Sequence, residues 1–134
     1  MRRSFLAGIV ALTATIGTIA MNAAAPRAQT PVLDRLMHDK LVHSQGILAA
    51  VVTSDWKTLE RESQAIQQLT REPAWAVLMT PEYVRHTGAF VHALDDLLAA
   101  ARSHDLDAAP LAYASLTVSC VQCHRYVARA RIAR

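Results

Sequence analysis

From residue 30 onward, stretches in which apolar residues return every three or four positions alternate with short breaks of Pro, Asp, Ser or Thr. That spacing is the period of an α-helix with one buried face. Thr30 and Pro31 make a cap and first-turn pair. Behind them Val32, Leu33, Leu36, Met37, Leu41, Ser44, Ile47, Leu48 and Val51 predict a first helix to about Val52. Thr53, Ser54 and Asp55 interrupt the pattern, and Ser54 or Asp55 opens a second helix on Trp56, Leu59, Ala65, Ile66 and Leu69 that ends near Thr70. Residues 71–80, with Pro73, form the one long connection. Thr80 and Pro81, followed by Glu82 where the helix dipole favours an acid, start a third helix on Tyr83, Val84, Thr87, Phe90, Val91, Leu94, Leu97, Leu98 and Ala101. After a turn at 103–106, Asp107 is the expected cap of a fourth helix running from Ala108 to near the C-terminus. Two short links and one longer one favour antiparallel neighbours. The expected fold is therefore all-α, an antiparallel up-down-up-down four-helix bundle.

Composition agrees with that pattern. Only 5% of the residues are aromatic and 4 are glycine, while Ala and Leu abound, which argues against a β-sandwich or barrel. A length of 134 residues is that of one small domain. The formal charge of +3 suggests nucleic acid until its location is examined. Residues 1–28 read as an export signal: Arg2 and Arg3 precede an uncharged apolar run from Phe5 to Ile19, and small residues follow from Ala23 to Ala28. The run is shorter than the roughly 20 residues that a spanning helix needs, so no stable membrane span is expected. Removing 1–28 takes away Arg2, Arg3 and Arg27 and no acid. Lys plus Arg then falls from 14 to 11 and equals the 11 Asp plus Glu, so the mature domain at 29–134 is near neutral and the case for nucleic acid disappears.

The chemistry is concentrated in Cys120-Val121-Gln122-Cys123-His124. Cysteines three apart lie on one face of a helix, one turn over another, with the histidine next to them. This C-x-x-C-H pattern is the signature of covalent c-type haem attachment, in which each thiol bonds a vinyl group and the imidazole binds iron on the proximal side. A structural zinc site wants four ligands, and there is no second cysteine pair. A thioredoxin-type pair wants a βαβ setting. A plain disulfide between Cys120 and Cys123 closes a tiny loop and stabilises little. Export also delivers the chain to the compartment where haem c is attached.

The motif lies on the last helix, ten residues from the end. Together with Asp105-Leu106-Asp107 before that helix, Leu69, Pro73 and Trp75 after the second, and Asp55 at its start, this resembles the cytochrome c prime family, the class II c-type cytochromes. The resemblance covers the whole chain after the signal. It implies a four-helix bundle, one covalently attached haem c, a periplasmic location, single-electron transfer to an unspecified redox partner protein rather than enzymatic catalysis, and pairing of two copies through their first two helices. It also implies that the first helix covers the distal face of the haem. There Met37 or His43 is the candidate sixth ligand, with His38 turned to solvent beside Asp39. If neither binds, five-coordinate iron bound by nitric oxide or carbon monoxide in a pocket around Met37 and Leu41 is the alternative function. His86, His92 and His104 read as surface or boundary residues, and Tyr126 as packing at the haem edge or the bundle end. Arg125, Arg129, Arg131 and Arg134 read as a solvated helix end from which one could pair with a haem propionate. The family often carries a basic residue four positions after the haem histidine. Here Ala128 holds that position and Arg129 follows.

Overall fold

The computed structural model describes residues 30–132, and the expected export segment at 1–28 lies outside them. Four α-helices, α1 (Thr30–Thr53), α2 (Trp56–Leu69), α3 (Pro81–Ser103) and α4 (Ala108–Ile132), with a 3-10 turn at Pro73–Trp75, make up the described residues, which hold no strand. No helix among them is long and apolar enough to cross a membrane.

The ends of the helices follow from local chemistry. The side chain of Asp55 accepts the amide of Thr58 and caps α2, and Thr80 accepts from Tyr83 and caps α3 with Pro81 in the first turn. The fourth helix corrects the expected cap. Asp105, not Asp107, accepts the amides of Asp107 and Ala108, at 2.9 and 2.8 Å, because an aspartate two or three residues upstream can close this turn with its side chain. Helices α1 and α3 end alike. Ser54 and His104 take positive φ, 56° and 55°, and the next amide bonds back to a carbonyl five residues earlier: Asp55 to Ala50 at 2.9 Å and Asp105 to Ala100 at 3.0 Å. This is the Schellman closure that usually takes glycine. At His104 the strained backbone is accompanied by stacking of its ring on Trp56, centroids 5.4 Å apart.

The core is continuous through all four helices. Ile47, Leu59, Ile66, Leu94, Leu97 and Leu116 are almost fully shielded, with Phe90, Trp75 and small alanines between them. Helix pairs α1–α2, α2–α3 and α3–α4 pack extensively, whereas α1 and α4 touch only sparsely. The stripe on α1 is narrower than its apolar residues suggest. Leu36, Ile47 and Ala50 are buried, but Leu41 and Leu48, read as core from the sequence, are 55% and 45% exposed. Leu41 lines the wall of a cavity shared with α4. On α3, Val84 is likewise exposed.

Candidate functional site

The sparse α1–α4 seam is where the cysteine motif lies. The second half of α4 carries Cys120 and Cys123 half-buried against the core, with His124 more open. Both cysteines are free thiols. Burial pushes both thiol pKa values up, and the Lys40 ammonium pulls them back in part.

Two cavities flank the motif. The larger, about 600 Å³, is walled by Met37, Leu41 and Ser44 of α1 and by Tyr113, Leu116, Cys120 and Arg125 of α4. The smaller, about 430 Å³, is walled by Leu33 and Asp34, Trp75 and Val77, Tyr83, Cys123 and Val127. Met37, Lys40, His124 and Ala128 belong to both walls, so each cysteine opens onto its own cavity and the histidine stands between them. Volumes of this size fit organic cofactors.

Lys40 is the residue that the sequence reading missed. It is 8% exposed, its Nζ lies 3.4 Å from His124 Nε2, and Trp75 and Phe90 present ring faces at 5.3 Å each. Burial lowers its pKa, against the pull of the two cysteines. The His124 pKa is also lowered, first by burial of the inward side of the ring and then by the Lys40 charge. A signal existed in the sequence: Lys40 falls one turn after Leu36 and Met37 and one turn before Ser44, inside the apolar stripe, where a charge is costly unless it has a use.

The distal candidates separate in space. Met37 lines both cavities. His43 turns toward α2, where its Nδ1 donates to Glu62 Oε2 at 2.7 Å, and it lines neither cavity. Gly46 permits this approach, since a Cβ there would stand 3.0 Å from Glu62 Cγ. His38 is exposed.

The other histidines also divide. His92 is exposed, and His104 sits in the turn on Trp56. His86, expected near the surface, is buried, with Glu82 3.4 Å from its Nε2 and the Tyr126 ring against it, because it falls on the inward row of α3 between Tyr83 and Phe90. Tyr126 shares a 2.6 Å hydrogen bond with Thr80, tying α4 to the start of α3. Tyr83 donates to the Trp75 carbonyl and so holds the 3-10 turn beside the smaller cavity. Arg125 lines the larger cavity, Arg129 is exposed, and Ala128 faces both cavities where the resembling family often has a base.

In comparisons with known proteins, the chain matches no family model, no curated protein and no solved structure.

Proposed function

We propose that this chain is an exported, periplasmic monohaem c-type cytochrome of the cytochrome c prime type that carries single electrons, with its four helices running up-down-up-down and antiparallel. The observation that carries the proposal is the position of Cys120, Cys123 and His124 on the one helix seam left open, with a cavity beside each cysteine and the imidazole between them. The antiparallel course is supported by two juxtapositions: Trp56 at the start of α2 stacks on His104, the cap that ends α3, and Leu33 and Asp34 early in α1 share a cavity wall with Val127 and Ala128 late in α4.

The residues present fit haem c. Two free thiols one helical turn apart supply the covalent attachment, and His124 supplies a neutral nitrogen donor whose protonation is disfavoured by burial and by Lys40. Bound there, haem c would supply one-electron redox chemistry. The chain's own part is to keep water from the site with Leu116, Met37, Trp75 and Val127, to orient His124 from a rigid helix, and to offer Arg125 to a carboxylate at the cavity mouth. The apolar wall formed by Met37, Leu41 and Leu116 also suits a small gas such as nitric oxide or carbon monoxide, which favours the five-coordinate alternative if α1 contributes no ligand.

Expression in a host that attaches haem c in its periplasm tests the proposal. The denatured chain should retain one haem by mass and lose residues from its N-terminus. Cys120→Ser and Cys123→Ser should each leave the haem held by one thioether in place of two, and the double variant should release it on denaturation. A parent chain of bare polypeptide mass would overturn the reading.

A further inference from the structure

We infer that Lys40 is the distal partner of His124, its side-chain nitrogen being the sixth ligand of the iron. The inference rests on the haem reading and goes beyond it, since the sequence offered only Met37 and His43 for that role.

Three observations lead to it. First, Lys40 occupies a core position at a cost. Among the described residues no carboxylate pairs with it, and two aromatic faces surround it. An ammonium buried in this way is expensive, and Leu or Met would fill the same volume without penalty. Its packing therefore does not explain its chemistry.

Second, its polar contact is the proximal nitrogen itself. Lys40 Nζ and His124 Nε2 approach to 3.4 Å from opposite walls of the seam, one from α1 and one from α4. Two nitrogens that bind one metal from opposite sides stand about 4 Å apart, at about 2 Å each. The observed pair is short of that by a fraction of an ångström. A metal taken by Nε2 would leave the amine without its present hydrogen-bond partner.

Third, one competing group is engaged elsewhere. His43 is bound to Glu62 and lines neither cavity, while Met37 lines both beside Lys40 and His124, so the Met37 variant is the control that separates the two. The Lys40 Nζ itself stands over the Trp75 and Phe90 ring faces, 5.3 Å from each, beside His124. Ligation takes the neutral amine: the side chain gives one proton to solvent and its lone pair to the metal, and no electron changes hands.

The test uses the haem-loaded full chain. Ferric parent protein should be low-spin, with a near-infrared magnetic circular dichroism band of the amine–imidazole type rather than that of thioether–imidazole or two imidazoles. Lys40→Leu and Lys40→Arg should both lose the low-spin spectrum and become open to carbon monoxide in the ferrous form; the guanidinium keeps charge and bulk but cannot ligate. The inference is overturned if the parent is high-spin and five-coordinate. It is equally overturned if both Lys40 variants keep the parent spectrum while Met37→Leu or His43→Gln loses it. Each of those results, obtained on a chain whose denatured mass includes haem, leaves the cytochrome reading intact. A chain that never acquires haem removes both.

Discussion

Helix α4 takes part in two seams built on opposite terms. Toward α3 the contact is closed: Ala93, Leu94, Leu97, Ala100 and Ala101 from α3 and Ala109, Ala112 and Leu116 from α4 are all buried, and the alanines let the two backbones come close. Toward α1 the same helix meets Met37, Leu41 and Ser44 across open space, and there it presents its cysteines, its histidine and two cavities. The lesson is a division of labour. Three closed seams stabilise the bundle, which leaves the fourth free of packing duty, so it can keep a buried lysine and unfilled volume that a stabilising core would exclude.

If that division is real, substitutions on the two sides should differ in kind. The largest effect belongs to the closed side. Leu97 is fully buried, and Leu97→Ala should destabilise the fold by about 2–5 kcal/mol, read as a lower urea midpoint at an unchanged slope. A loss below about 1 kcal/mol would mean that the α2–α3–α4 core does not carry the stability.

A smaller effect is expected between α1 and α2, where a polar pair lies beside the apolar contact. The hydrogen bond from His43, followed by Arg61, holds the Glu62 carboxyl below the usual carboxylate value of 4.5. A depressed folded-state pKa means that this contribution is complete above pH 4.5 and is lost as the pH falls from there through the folded value. Glu62→Gln should therefore cost about 1 kcal/mol at pH 7 and make the decline in stability below pH 4.5 shallower. An acid limb identical to the parent's would show that the pair does not couple the helices.

The smallest effect belongs to the open seam. Leu41 is 55% exposed although it belongs to the apolar repeat of α1. Leu41→Ser should change stability by less than about 0.5 kcal/mol, yet alter water access to the larger cavity in the haem-loaded protein. A destabilisation comparable to that of Leu97→Ala would show that the α1–α4 seam is as closed as the others.

Much of the molecule was legible along the chain. The 3.6-residue period located all four helices, and Asp55, Thr80 and Pro81 marked two of their starts, because caps and periodicity are decided within one or two turns of backbone. The motif at Cys120, Cys123 and His124 was equally local. Its helical setting follows from spacing alone, while the haem it suggests is a matter for the experiments above.

What the sequence could not decide is which edge of a wide apolar stripe turns inward. Leu41, Leu48 and Val84 share the period of their buried neighbours, and only the placement of adjacent helices leaves them exposed. His86 failed in the opposite direction, since a histidine in the stripe between Tyr83 and Phe90 is buried or exposed according to what Tyr126 of another helix does. Lys40 is the clearest case. Its position within the stripe was local information, but its meaning depends on His124, 84 residues away, and on Trp75 and Phe90. Periodicity and capping are short-range properties that a chain carries with it, whereas a contact across the open seam exists only once α2 and α3 have fixed how far α1 stands from α4.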